Sequence, residues 1–272
     1  MTRSLEIVIV SYNTSAELDA CLASVYAHPP EHLERLVVVD NASTDSTVAR
    51  VHARWSQVDL VCLEQNIGFG AANNIALREP GPPLVLLLNS DTLVPPGAID
   101  RLVRRLDETG VVAAGPRLVD ADGFPEVSFG PMLSPLAEAG QALRQRLSAR
   151  RDAMSRRYIQ HLVSSERLVD WVSGACMLVR RDAVLRAGLF DERFFMYEED
   201  VDLCAALRAN GGRILFTPQA QITHLRGRSS GGSRARQPVH YDRSHMAFYE
   251  KHMPAWAPWL RSWQRLRGRG IQ

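Results

Sequence analysis

Apolar residues in this chain come in short runs that end on polar residues, with amphipathic stretches between them. LEIVIV (5–10), LVVV (36–39), VDLVCL (58–63), LVLLL (84–88) and GVVAAG (110–115) have the length and composition of buried strands. Between them the period changes to that of a helix. Leu18, Cys21, Leu22 and Val25 recur at i, i+3, i+4 and i+7 behind a T-x-x-E capping box running from Thr14 to Glu17. Asp45 is placed to cap a second helix with Val48, Val51 and Trp55 inward. Pro95 and Pro96 open a third, striped by Ile99, Leu102, Val103 and Leu106. This alternation predicts βαβ units and an α/β fold with a mainly parallel sheet flanked by helices. Ligands bind such sheets outside the carboxyl ends of the strands. Those ends carry Ser11-Tyr12-Asn13, Asp40-Asn41, Asn66 and Asn89-Ser90-Asp91. Each reads singly as a turn or cap residue; four groups delivered to one edge predict a site.

The second half has a different texture. Residues 131–168 scatter Arg144, Arg146, Arg150, Arg151, Arg156 and Arg157 among helix formers, the pattern of a solvated helical excursion. DWVSGACMLVRRDAV (170–184) returns to a strand that turns into a helix. FFMYEEDVDLCAALRANGG (194–212) reads as a helix entered through acids and closed by Asn-Gly-Gly. RILFTP is a strand, and 223–237 is a Gly/Ser/Arg-rich loop. The predicted organisation is one domain over 1–250, made of a first half (1–115) and a smaller second half (116–250). A basic, Trp-rich tail follows (251–272).

Composition narrows the function classes. Of 272 residues 46% are apolar and the net charge is +2, which gives no overall case for nucleic acid. The four cysteines, Cys21, Cys62, Cys176 and Cys204, show no CxxC or metal-ligand spacing and read as reduced core thiols. No apolar run approaches the ~18 residues of a membrane span. The expected location is cytoplasmic, with peripheral contact at the inner face of the cell membrane left open. In the tail, Trp259, Leu260, Trp263 and Leu266 form an apolar stripe beside Arg261, Arg265, Arg267 and Arg269. That pattern admits either an anionic-bilayer contact or Trp side chains clasped onto the domain.

As chemistry, Asp91 suits a hard divalent cation shared with substrate phosphates. Glu198-Glu199-Asp200 puts three acids at a helix start, where the helix dipole favours anions and mutual repulsion raises a pKa toward that of a general base. His224 stands just before the Gly/Ser/Arg loop. On residue type alone, helix-start acids and a satisfied histidine remain open readings.

The motifs VIVSYN, VVDNASTDST, NIGFGAANN, LLLNSDT, VSGACMLVRR, FFMYEEDVDLC and HLRGRSS occur in that order. Together they resemble the inverting glycosyltransferases of family 2, with the GT-A fold, over residues 5 to about 250. The N-x-G-F-x-x-x-N-N, N-S-D and H-x-x-G-x-S forms are most similar to the rhamnosyltransferase branch. The resemblance implies a metal-dependent hexosyltransferase in cell-surface polysaccharide synthesis. It would move a sugar, rhamnose from dTDP-rhamnose first and UDP-sugars next, to a glycan or lipid-linked acceptor. Ser11, Tyr12, Asn13, Asp40 and Asn41 would hold base and ribose, and Asn66, Gly68, Asn89 and Ser90 would line the nucleotide pocket. Asp91 and His224 would bind Mg2+ or Mn2+, and Arg226, Arg228 and Arg243 would face the diphosphate. Asp200 would be the base, with Glu199 as the alternative one residue away. The family's DxD motif begins here with Asn89; one negative charge fewer points to a cation that arrives with the nucleotide. A nucleotidyltransferase making the sugar nucleotide would carry a Gly-rich basic loop after the first strand, where this chain reads SYNTSAELD. A non-catalytic nucleotide-sugar-binding scaffold also stays open.

Overall fold

The computed structural model describes residues 4–225 and 237–266. The first half alternates as the pattern predicts: β1 (Leu5–Ser11), α1 (Ser15–Ala27), β2 (Leu33–Asp40), α2 (Thr47–Arg54), β3 (Asp59–Cys62), α3 (Phe69–Arg78) and β4 (Leu84–Asn89). Then come β5 (Thr92–Leu93), α4 (Ala98–Thr109), β6 (Ala113–Val119), β7 (Phe129–Gly130), α5 (Pro135–Arg150), α6 (Ala153–Leu162), β8 (Arg167–Val169) and β9 (Trp171–Val172). The chain continues through β10 (Cys176–Arg180), α7 (Arg181–Ala187), α8 (Glu199–Ala209), β11 (Ile214–His224), α9 (Gln237–His252) and α10 (Ala257–Leu266).

One sheet runs β3-β2-β1-β4-β10-β6-β11-β5, with β8 also on β11. The β3, β2, β1 and β4 strands are parallel, as are β6 and β11. β10 lies antiparallel between β4 and β6. It arrives from the long excursion over 131–168 rather than through a single crossover helix, so nothing forces it to be parallel. Because β6 spans 113–119, the expected boundary at 115/116 falls inside a central strand.

The continuous apolar runs serve two faces, because side chains alternate along a strand. Ile7, Ile9, Leu86 and Leu88 pack with Leu18 and Leu22 of α1 and Leu102 and Leu106 of α4. Val8, Val10, Val85 and Leu87 pack on the other face with Ala72 and Leu77 of α3, Leu203 of α8 and Phe248 of α9. Burying each such side chain contributes about 1.5–3 kcal/mol. Cys21, Cys176 and Cys204 sit in this core, whereas Cys62, on the edge strand β3, is exposed.

Three local readings change. Thr14 precedes α1 but makes no side-chain cap; its hydroxyl donates to Ser90 Oγ (3.0 Å) and bonds Ser11 Oγ (2.8 Å), tying β1 to the end of β4. Asp45 caps two helices from one position, accepting from Thr47 N (2.9 Å) and Ser15 N (3.1 Å). Glu6 interrupts the apolar look of β1: wholly buried, it pairs with Arg181 at 3.0 Å, and Arg181 also donates to the carbonyls of Leu77, Glu79 and Pro82.

Candidate active site

Asn41, just after β2, organises the carboxyl edge of the sheet. Its Nδ2 donates to Asn66 Oδ1 (2.9 Å) and Gly68 O (3.2 Å), and its Oδ1 accepts from Ile67 N (2.9 Å). This fixes the turn that starts α3. Asn13, at φ 54°, accepts from the backbone N–H groups of Thr44 (2.7 Å) and Asp45 (3.3 Å), so it shapes the loop after β2. Asp40 is buried; its Oδ2 accepts from Ser43 N at 2.9 Å, while Oδ1 has no hydrogen-bond partner among the described residues.

A cavity of about 1520 Å³ opens along this edge and runs into the second half of the chain. Tyr12, Asn41, Asn66, Gly68, Asn89, Ser90 and Asp91 line it, as do Glu199, Asp200 and His224. Ser11, Asn13 and Asp40 are not among the residues that line it. Arg243 is exposed on α9 and does not line the cavity. Arg226 and Arg228 lie outside the described residues.

β11 carries His224 to Asp91. His224 Nε2 is 3.4 Å from Asp91 Oδ1, and Nδ1 is 3.5 Å from Glu126 Oε2. Burial works against a charged imidazole here, but the carboxylates of Asp91 and Glu126 outweigh it and lift the pKa to about 9. No cluster of three or more His, Cys, Asp or Glu side chains arranged to hold a metal occurs among the described residues. One buried carboxylate beside one imidazole nevertheless suits a cation that completes its shell with phosphate oxygens and water.

The EED run does sit at a helix start, through an unusual turn. Tyr197 (φ 72°) and Glu198 (φ 64°) are both left-handed, and Glu198 is the residue preceding α8. Non-glycine residues hold this conformation only where the surroundings impose it. Here α9 imposes it: Ser244 Oγ donates to Met196 O at 2.7 Å, and His245 Nδ1 meets Glu198 Oε1 at 2.7 Å. Asp200 is then anchored by two backbone N–H groups, Gly174 to Oδ2 and Val201 to Oδ1, both 2.8 Å. Burial raises the pKa of Asp200, and the two N–H bonds restrain the rise. Glu199 is raised well above the carboxylate range by burial and then by the charge of Asp200; its Oε2 has no hydrogen-bond partner among the described residues. Of the adjacent acids, Asp200 is therefore the better held as an anion.

Sequence reasoning missed Glu126, Glu138 and His245. His245 bridges Glu198 and Glu138, with Nε2 3.3 Å from Glu138 Oε2, and Tyr249 donates its hydroxyl to Glu138. These residues are spread over more than a hundred positions with no local motif, so only the tertiary fold joins them.

The match to the family model described as "Glycosyltransferase like family 2" covers residues 3–251. An N-acetylglucosaminyl-diphospho-decaprenol L-rhamnosyltransferase from Mycobacterium tuberculosis is 32% identical over 96% of this chain and 89% of its own length. Two solved glycosyltransferases share the fold. GalNAc-T7 with UDP, GalNAc and Mn2+ has TM-score 0.61 and 17% identity over 82% of this chain and 43% of its own. The Pyrobaculum calidifontis mannosyltransferase PcManGT with GDP-Man and Mn2+ has TM-score 0.59 and 19% identity over 94% and 67%. The chain belongs to glycosyltransferase family 2 and has the GT-A fold.

Proposed function

We propose that this glycosyltransferase moves rhamnose from dTDP-rhamnose to a lipid-linked, sugar-bearing acceptor, with inversion at the anomeric carbon. The observation that carries the reading is one cavity holding an anchored carboxylate, Asp200, together with the Asp91–His224 pair. The likeness to the mycobacterial rhamnosyltransferase along almost the whole chain supports the sugar and the acceptor class. Rhamnose is a deoxyhexose, so the broader expectation of a hexosyltransferase narrows accordingly.

Asp40 Oδ1, a buried acceptor, is suited to the imide N–H of a pyrimidine. Asn41, Asn66 and Gly68 form a braced turn beside it. Asp91 and His224 would hold Mg2+ or Mn2+, which when bound supplies positive charge against the departing diphosphate. Asp200 takes the proton from the acceptor hydroxyl as that oxygen attacks the anomeric carbon and the bond to the diphosphate breaks. The N–H groups of Gly174 and Val201 aim its carboxylate. Burial and the charge of Asp200 push the Glu199 carboxyl well above the carboxylate range, which disfavours a second negative charge where the nucleophile forms.

The test is release of nucleoside diphosphate from a panel of dTDP- and UDP-sugars, with a polyprenyl-diphosphate-linked acceptor, with and without EDTA. Acceptor-dependent release of dTDP from dTDP-rhamnose, abolished by EDTA, is expected. Preference for a UDP-sugar would overturn the donor assignment, and indifference to EDTA would overturn the metal assignment.

A further inference from the structure

The cavity does not end at Asp200. It continues along a trough to which two helices give one face each. On α5, Pro135, Glu138, Ala139, Ala142 and Arg146 line it, spaced as one helix face. Trp256 and, on α10, Trp259, Leu260, Trp263 and Leu266 also line it. α10 is fixed to α9 by its opposite side: Ala257 and Gln264 are buried, and Gln264 Nε2 donates to Asp242 O at 3.1 Å. The tryptophans are therefore not clasped into the core. Trp259 is 73% exposed and Leu266 87%, although both face the cavity. So large an apolar surface, continuous with a catalytic carboxylate, marks a binding surface. Arg146 is the sole Arg or Lys among the described residues lining the cavity, and it lies one turn beyond Ala142.

We propose that this trough holds the polyprenyl chain of the acceptor, with Arg146 facing its diphosphate; the assignment rests on the lipid-linked acceptor proposed above. Three features match that ligand. The side chains of Ala139 and Ala142 are small, which leaves room along α5. The α10 wall is aromatic and aliphatic, which suits an isoprenoid. A single guanidinium lines the cavity on the same helix face as the alanines, and it suits a diphosphate. Glu138, a carboxylate on that face, is already engaged by His245 and Tyr249.

The experiment measures binding, so it needs no turnover. Radiolabelled long-chain polyprenyl diphosphate and geranyl diphosphate are titrated, in neutral detergent, into the full chain and three variants. Ala142→Trp fills the trough, Trp259→Ser with Trp263→Ser strips its wall, and Arg146→Gln removes the cation. All these positions are exposed, and unchanged melting curves would confirm folding. The first two variants should weaken long-chain binding at least ~10-fold, the scale set by losing one aromatic anchor. They should cost geranyl diphosphate less than the long chain and leave nucleoside diphosphate binding unchanged, while Arg146→Gln weakens both prenyl diphosphates. Wild-type long-chain affinity in the first two variants, or equal loss for both chain lengths, would overturn the trough. So would binding to anionic vesicles equally strong with and without the polyprenyl diphosphate, which would instead make α10 a bilayer contact. A chain that binds the polyprenyl diphosphate as described yet transfers no rhamnose would refute the donor reading and leave the trough standing.

Discussion

Gly68 shows how a single residue holds two halves of the site together. Its φ is 92°, and a Cβ there would stand 2.4 Å from the carbonyl oxygen of Phe195. Phe69 N donates to that same oxygen at 3.0 Å, so the start of α3 is pressed against the segment leading to Asp200. Gly68→Ala should cost about 1–3 kcal/mol of stability, read by urea unfolding, from the left-handed backbone and the clash together. Wild-type stability would show that the contact is slack. At this scale the sequence was most legible where motif and chemistry coincide: Asn41, Asp91, Asp200 and His224 all line the cavity. It was least legible where a polar residue serves a distant partner. Thr14 looks like a helix cap and instead bonds Ser90, and nothing local to Glu126 announces its contact with His224.

Among the elements, α9 has the role least visible in the sequence. It carries Ser244 and His245 against the strained turn at 196–198 and reaches α5 through Glu138. Burial opposes charge on His245, but Glu138 and Glu198 together lift its pKa to about 10. An unfolded histidine titrates near ~6.5. The folded pKa is thus above the unfolded one, so this contribution to stability is complete below about 6.5 and is lost as pH rises through about 10. The melting temperature should therefore fall between neutral pH and pH ~10, and the fall should be shallower in His245→Gln. His224, lifted to about 9, keeps part of the slope in that variant. An unchanged slope would mean that the bridge contributes nothing. The pattern of apolar runs predicted β1, β2 and β4 well, because buried parallel strands are nearly continuous in Val, Ile and Leu. It did not predict α3, whose FGAANNIALR sets Gly70, Asn73 and Asn74 among its helix formers. Tertiary contacts override that propensity: Asn74 donates to Phe190 O (2.9 Å) and accepts from Phe190 N (3.0 Å).

On the scale of the whole molecule, one cavity joins the strand termini to the space between α5 and α10, and the proposed function makes the first its donor end and the second its acceptor end. Asp200 lies along the same cavity, on α8. The two ends are walled by different elements, so changes at each should act independently. Asp91→Ala should weaken Mn2+-dependent binding of nucleoside diphosphate without altering binding of polyprenyl diphosphate. Combined with Ala142→Trp, the two losses should add to within about 0.5 kcal/mol. Strong coupling would point to closure of one end over the other. This cavity was only half legible in the sequence. Strand-end motifs pointed to one wall of the cavity, whereas the other wall depends on how α5, α9 and α10 pack, and helix periodicity alone does not say which face meets which.

The central claim is that Asp200 is the base and Glu199 is not, and paired substitutions test it most directly. Turnover and donor affinity are measured side by side for Asp200→Asn and Glu199→Gln. Asp200→Asn retains an oxygen for one backbone N–H but cannot take a proton, so turnover should fall at least ~100-fold with donor affinity nearly unchanged. Glu199→Gln replaces a carboxyl whose charged form burial disfavours, and should cost less than ~10-fold. Near wild-type turnover in Asp200→Asn, or a larger loss in Glu199→Gln, would contradict the account.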